Sequence, residues 1–537
     1  MGKNKLVYWG AGNIGKLCLK LHPDVRPEFF IDSNWEAGEC EGISVKKPEE
    51  VQCWDEIFVV ITTTDAAFSS IAQMLNRRNL IQNQNYVGYQ AFFETGEETI
   101  DESISFFQGY IENNENHKKA ILIFATIFAS RLNSLVSFFH SYGLKRMPQK
   151  CVLFSDASII DKEYASKVIG YPAFKVPKLC TWSGSANGTI NLDESKLSHI
   201  SLLSENEKNW IYELEERKVC EDKQLSYKVT SEIYWYYKNL FSIFQPLKII
   251  IMDGWKRQSY ILAELAKKNH IPYVFMEYGW IPGTLQFDGG GISGQSEYAV
   301  DPGKILNLEV KNREKVREVR KYIIANKMDT VKFRNNSEDE INLQRVDKRK
   351  KTVFFVGMGD YSMGINPQSD YWKQYVSSIF SSTKDAVLYV AEICKKNDWN
   401  FVFKPHPNPA NQDELDEESL NSNIIQVKYT EIDRLIQLAD AVVSIASAVD
   451  YKVLIYGKPL VQLGHTTLYK KGCSYEVDSK DLTEDQIKSA LEKGMTKEQN
   501  ENFELHMGRL LENYLWDDLS DRELRYGLSL DTDFFDI

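Results

Sequence analysis

The residues of this chain best suited to chemistry lie between Phe401 and Gly464. Lys404 and His406 flank a proline within FVFKPHPNP (Phe401 to Pro409). Ser444 and Ser447 follow in DAVVSIASAVDYKVLIYGKPLVQLG (Asp440 to Gly464). A lysine offers a point charge and a histidine a ring donor, and both can meet a phosphate oxygen. Pro405 and Pro407 stiffen the turn from which the two side chains project. Ser447 stands just before a helical stretch that begins at Ala448. Its hydroxyl would lie beside the unpaired N–H groups of a first turn, that of Ala448 included, where the helix dipole favours an anion. Asp450, three residues after Ser447, has capping-box spacing. A capped helix start and an anion site are compatible, because capping leaves N–H groups over. The plainer alternative is a solvated Lys404 and a His406 that caps a nearby carbonyl. Their strand-end position, with a serine-rich turn to follow, points instead to a pocket for a nucleotide phosphate.

The elements that must hold these residues are short. Phe401 to Lys404 is an apolar strand stopped by the prolines. Ala441 to Ile445 is a strand that breaks over Ser444 to Ser447 and enters a helix, Ala448 to Tyr456. Gly457 ends that helix, Pro459 stands just beyond, and Leu460 to Leu463 forms the next strand. This is a βαβ unit, and such units bind ligands at the carboxyl ends of their strands. Thr352 to Val356 is a further strand, ending in Gly357-Met358-Gly359-Asp360. Gly357 and Gly359 would permit close backbone approach on the other side of the pocket.

Two more groups of residues could do chemistry. Asp156, Asp253 and Glu277 each stand at the end of an apolar strand in the middle of the chain. A carboxylate there could deprotonate an acceptor hydroxyl or attack a sugar carbon, and Glu277, Asp253 and His406 are the catalytic candidates. Each acid could equally cap a helix or pair with a cation. The glycine-rich stretch after Glu277, 280–295, suggests a substrate-side lid. At the start of the chain, the strand Lys5 to Trp9 leads into Gly10-Ala11-Gly12-Asn13-Ile14-Gly15, and a second strand ends in Asp32. This fits the dinucleotide fingerprint, in which Gly10, Gly12 and Gly15 bring backbone N–H groups to a pyrophosphate and an acid follows. The same pattern fits a Rossmann-like module that binds nothing, or that binds a nucleotide for structure or regulation.

The chain has 537 residues, more than one ordinary core supports. Its net charge of −12 argues against a general nucleic-acid binder. No apolar run reaches the ~20 residues that span a bilayer. The start is a strand and a glycine turn, unlike a signal peptide. The eight cysteines are scattered without a C-x-x-C pair and read as reduced thiols of a cytosolic protein. No metal motif appears. The alternation of strands and helices divides the chain into a Rossmann-like nucleotide-binding module over 1–95, a linker over 96–118, an α/β domain over 119–335, a charged linker over 336–350 and an α/β domain with a helical tail over 351–537.

Lys404-Pro-His406-Pro, the Ser444-to-Ser447 turn and GKPLVQLGHTTLY (Gly457 to Tyr469) resemble the C-terminal half of bacterial capsule-polysaccharide glycosyltransferases of the Kdo-transferase type. The likeness extends distantly to bacterial sialyltransferases and CDP-glycerol glycerophosphotransferases, and covers roughly Ala120 to Val477. It implies the α/β architecture called GT-B, two Rossmann-like domains facing across a cleft, here with an additional small N-terminal Rossmann-like domain. It also implies that His406, Ser444 and Ser447 bind the phosphate of a cytidine nucleotide donor. The family has Glu-Asp-Gly where this chain has Glu277-Tyr278-Gly279, and its Asp is thought to act in catalysis. Tyr278 in that place shifts the expectation from an Asp nucleophile to Glu277 or Asp253 as a base for direct attack.

The expectation is a cytoplasmic glycosyltransferase that moves a sugar, Kdo or another, from a CMP-linked or other nucleotide-sugar donor to a growing surface polysaccharide. Its acceptor would be a saccharide or a lipid-linked saccharide. Contact with the inner membrane or capsule assembly machinery is left open, and so is a nucleotide on the N-terminal module; no other cofactor and no nucleic acid are expected. Two rivals stay open. One is polyol-phosphate transfer from a CDP-alcohol, which leaves a phosphodiester. The other is a nucleotide-sensing scaffold in which the N-terminal module is the active part.

Overall fold

The structure, a computed structural model, describes residues 5–63, 65–93, 99–125, 151–155, 172–181, 197–215, 223–252, 254, 257–326, 337–360, 367, 369–406, 415, 423–517, 526 and 528. It contains an α/β fold built on parallel sheets, and its contacts separate two compact units. One comprises Met1–Thr181 and Lys238–Met252, the other Trp182–Tyr237 and Asp253–Ile537.

The first unit opens with β1 (Lys5–Trp9), β2 (Phe29–Ile31), β3 (Glu39–Cys40), β4 (Ile43–Lys46), β5 (Ile57–Ile61) and β6 (Tyr86–Gly88), in the order β3-β4-β2-β1-β5-β6. All pairs are parallel except β3 with β4. The chain runs outward from β1 on one side, then crosses to β5 on the other, so the topological switch point lies beside β1. Val7, Trp9, Ile31, Val59 and Ile61 are buried together, as strands covered on both faces require. α1 (Asn13–Leu21) follows β1 directly and α2 (Asp65–Asn76) follows β5. Within the expected linker, α3 (Ile100–Asn113) carries a capping box between Thr99 and Glu102. It buries Ile104, Phe107 and Ile111, and Phe107 packs edge-on against Phe154 and Phe174. This segment is a packed amphipathic helix. A second parallel ladder of the unit joins β7 (Ile121–Ala125), β8 (Cys151–Ser155), β9 (Ala173–Lys175) and β10 (Lys248–Met252), in the order β10-β7-β8-β9.

The second unit holds β11 (Tyr273–Tyr278) and β12 (Thr284–Asp288), paired antiparallel. It also holds a parallel sheet of β13 (Thr352–Val356), β14 (Asn400–Lys404), β15 (Ile424–Gln426), β16 (Ala441–Ser444), β17 (Leu460–Gln462) and β18 (Tyr475–Glu476), in the order β15-β14-β13-β16-β17-β18. Again the chain leaves a central strand, β13, in one direction and returns on its other side at β16. β13 and β14 are buried throughout. The helices of this unit that bear on the site are α4 (Arg313–Asn326), α5 (Ser337–Leu343), α6 (Thr383–Lys396), α7 (Ile432–Leu438), α8 (Val449–Ile455), α9 (Thr483–Lys493) and α10 (Lys497–Asn513). The chain then pairs β19 (Leu515–Asp517) antiparallel with β12. No helix among the described residues is long and apolar enough to cross a membrane.

Three expectations change here. The glycine-rich stretch after Glu277 is no open lid. Much of it is the buried strand β12, and Gly290 and Gly291 donate their N–H groups to Asp288 at 2.7 and 3.1 Å. A Cβ on Gly294 would lie 1.9 Å from the Tyr375 carbonyl, so this glycine marks close approach of two backbones. The charged stretch before β13 is anchored too. Buried Asp339 of α5 accepts the N–H groups of Lys428, Tyr429 and Thr430 at 2.9, 2.7 and 2.6 Å. Lastly, the long C-terminal helical stretch is two helices, broken at Gly494, whose φ of +64° suits glycine.

Candidate active site

The register of the third sheet assembles the site. Val356 at the end of β13 stands opposite Lys404 on one side and Ser444 on the other. Lys404 and Ser444 are therefore about 10 Å apart, two strand spacings, with Gly357 leaving the sheet between them. Gly357 donates its N–H to the Lys404 carbonyl at 2.8 Å, which extends the ladder one residue past the strand. The Lys404-Pro405-His406 turn, Gly357 and the Ser444–Ser447 turn thus share the carboxyl edge of three adjacent parallel strands at the switch point, where α/β sheets bind ligands.

The side chains differ from their expected states in informative ways. Lys404 is 4% exposed, and its ammonium donates to the Lys428 carbonyl. That carbonyl belongs to the loop that Asp339 pins. The lysine's charge lies inside the edge rather than at its surface. His406 is half-buried, and desolvation together with the Lys404 charge lowers its pKa to about 4. At neutral pH it is a neutral imidazole with one N–H donor. An anion arriving beside it would favour the charged form and raise that pKa.

The helix after β16 starts one residue later than expected. α8 is Val449–Ile455 with Ala448 as its N-cap. Ser447 remains part of the turn: its hydroxyl accepts the Val449 N–H at 3.2 Å, and its own N–H donates to Asp450 at 3.2 Å. Asp450 is fully buried, and burial raises its carboxyl to about 7 against the pull of the Ser444 hydroxyl and the Ser447 amide. The helix is held from three sides. Lys452 forms a buried ion pair with Asp433 of α7 at 2.6 Å, joined by the Tyr456 hydroxyl. Arg320 of α4 donates to the Leu454 and Ile455 carbonyls at 3.3 and 3.2 Å, a cation at a helix C-terminus. Tyr451 stacks on Trp280 and hydrogen-bonds Thr467 and His506 at 2.7 and 2.8 Å.

Asp360, just past Gly357-Met358-Gly359, is an additional buried acid at this edge. It accepts the Thr383 N–H at 2.7 Å and the Thr383 hydroxyl at 2.5 Å, capping the start of α6. Burial raises its carboxyl to about 6. The strand–glycine–acid pattern in the sequence was the available signal for it.

Of the acids in the middle of the chain, Glu277 stands within β11, opposite Gln286, and its carboxylate accepts the Tyr278 N–H at 2.8 Å. Asp253 and Asp156 lie outside the described residues. In the first unit, Gly10 has φ +126°, and a Cβ there would lie 2.5 Å from the Thr62 carbonyl. A Cβ on Gly15 would meet the Gly10 carbonyl at 2.1 Å, whereas Gly12 faces open space. Asp32 accepts the Ala11 N–H at 3.0 Å and the Asn34 N–H at 2.9 Å. Among the described residues no three His, Cys, Asp or Glu side chains gather as a metal would need.

No family model and no curated protein sequence matches the chain. Among solved structures it is similar to Thermosulfurimonas dismutans KpsC, a beta Kdo 2,7 transferase, at 16% identity over 52% of this chain and 81% of that one, with a TM-score of 0.34. It is similar to Methanocaldococcus jannaschii UDP-GlcNAc 2-epimerase, solved with UDP-GlcNAc and UDP, at 13% identity over 72% and 97% of the two chains, with a TM-score of 0.34. A glycosyltransferase from Rickettsia africae gives 12% identity over 75% and 96%, with a TM-score of 0.31. Likenesses of this size bear no functional weight, and the residues of the site carry the reading that follows.

Proposed function

We propose that the chain is a glycosyltransferase whose third sheet holds the phosphate of a nucleotide-sugar donor at the carboxyl edge of β14, β13 and β16. One observation carries this: the register sets Lys404 and Ser444 on either side of Val356, with Gly357 between the two turns. A phosphate there would meet the His406 ring N–H and backbone N–H groups of the Ser444–Ser447 turn. The buried Lys404 ammonium would add positive potential from beneath. As the sugar departs, negative charge grows on the leaving nucleotide. Donors already oriented in a desolvated site stabilise that charge without reorganising. His406 starts neutral, and the anion raises its basicity, so it could carry a proton to the leaving phosphate.

The finer reading is a CMP-linked donor, with Kdo or another sugar moved to a saccharide or lipid-linked saccharide of a bacterial surface polysaccharide. Glu277 would be the base for the acceptor hydroxyl. We propose also that the Gly10–Gly15 turn takes a nucleotide of its own. The test is turnover of CMP-, UDP- and GDP-linked sugars with mass analysis of the product. Transfer of a sugar alone supports the reading, and a phosphodiester in the product contradicts it.

A further inference from the structure

Two polar atoms at the edge of the third sheet, Ser444 Oγ and Asp450 Oδ1, make no well-formed hydrogen bond, although the serine hydroxyl stands close enough to act on the carboxyl. Both residues are 0% exposed. Orphaned buried polar atoms are rare in native proteins and ask for a reason. Asp450 has a second oddity, in that among the described residues no cation pairs with it. Lys452 on its own helix is bound to Asp433, and Tyr456 shares that carboxylate. The Lys404 ammonium donates to the Lys428 carbonyl. Arg320 is bound to Glu504 and to the carbonyls at the far end of α8. Tyr451 of α8 and His506 are bonded to each other, with Cys473 beside Tyr451 and the Lys471 and Arg509 charges felt at His506; nearer the sheet edge Asp360 is bonded to Thr383, and His406 follows Lys404. Among the described residues, the groups that bear on the carboxylate are the Ser447 amide and the Ser444 hydroxyl. A carboxylate this deep with so little compensation is costly when ionised, and an incoming phosphate would make it costlier.

We propose that the anionic ligand of this edge is bound together with one proton, taken from solvent and carried by Asp450. This rests on the phosphate reading above. In its neutral form Asp450 becomes a donor, and the Ser444 hydroxyl beside it can receive the proton's hydrogen bond. The serine proton is then available to a phosphate oxygen, so both orphaned atoms gain partners when ligand is present. Asp450 would be a positioning residue acting through Ser444. Burial already lifts the Asp450 carboxyl to about 7 with the site empty, which agrees with this geometry.

The test is calorimetric titration of the full chain with CMP-N-acetylneuraminate, UDP-N-acetylglucosamine and GDP-mannose. None of these has a phosphate group that titrates between about pH 5 and 9. Each is measured at pH 6 and 8 in two buffers of different ionisation enthalpy. The wild type should take up close to one proton per ligand at pH 8, with affinity falling up to about tenfold per pH unit above 7, whereas at pH 6 Asp450 is already protonated and any uptake belongs to His406. Asp450→Asn keeps the shape and offers a donor at every pH. It should take up no proton at pH 8 and bind about tenfold tighter than wild type at pH 8.5. Its melting curve establishes that it folds. Uptake at pH 8 that persists in Asp450→Asn, or a wild type that binds at pH 8 without uptake, overturns the assignment to Asp450 while leaving the phosphate site standing. A wild type that binds none of the three sugars at either pH overturns both.

Discussion

The glycine turn after β1 and the carboxyl edge of β13 occupy equivalent places, each at the switch point of a parallel sheet, yet they are finished differently. In the first unit the polar groups of the turn satisfy one another. Asp32 takes the Ala11 amide, the Thr62 hydroxyl donates to the Gly10 carbonyl at 2.8 Å, and the Cys40 thiol donates to the Ala11 carbonyl at 3.3 Å. At the third sheet, burial holds a histidine and two carboxyls toward their neutral forms, and two buried polar atoms make no well-formed hydrogen bond. A turn that closes on itself gains stability from its hydrogen bonds. An edge that leaves polar groups desolvated gives up stability and is primed to gain from a charged ligand. The contrast favours the third sheet as the place of chemistry.

The widest separation should come from His406→Ala. Losing one oriented donor to the leaving phosphate predicts a fall in kcat of roughly 10²–10³-fold. Unchanged turnover would remove His406 from the reaction. Next comes Gly10→Ala, which places a Cβ 2.5 Å from a carbonyl at a φ of +126°. It should cost the first unit about 3 kcal/mol, seen as an early unfolding step in urea.

Asp450→Asn works in the opposite direction. The native carboxyl at about 7 lies above the ordinary aspartate value of 3.8. The folded state therefore holds an extra proton between those values, and wild-type stability declines as pH rises through that window. The asparagine variant should be more stable than wild type at pH 8, by roughly 2–4 kcal/mol, and lose that advantage as pH falls toward 4. A stability difference independent of pH would mean that Asp450 is ionised throughout. Gly12→Ala should do least, costing under about 1 kcal/mol, because its Cβ would meet nothing within 4 Å. A fall in nucleotide affinity with unchanged melting would show that a ligand uses that open space.

Much of this frame was legible in the sequence because its signals are local. The apolar runs 352–356, 401–404 and 441–444 became buried parallel strands, and Gly457, at φ +72°, ends α8 with Pro459 just beyond. The glycine run near Asp288 misled, because the same composition serves an open loop and a close backbone approach. Long-range structure, such as the Tyr375 carbonyl beside Gly294, separates the two. Asp339 read as part of a charged linker, since the three amides it caps are some ninety residues away in the chain. The return of β19 to β12 was equally invisible, being a pairing of strands far apart in sequence. That Lys404 and Ser444 stand at strand ends could be read from the sequence. The Lys404 ammonium could not be placed, since its partner is a backbone carbonyl.

The central claim meets its most direct test in a crystal structure of the full chain soaked with a CMP-linked sugar. The account predicts the donor phosphate within hydrogen-bond distance of His406 and of the Ser444–Ser447 turn, with the Gly357 backbone alongside. Nucleotide seated on the Gly10–Gly15 turn, with the edge of the third sheet empty, would contradict it.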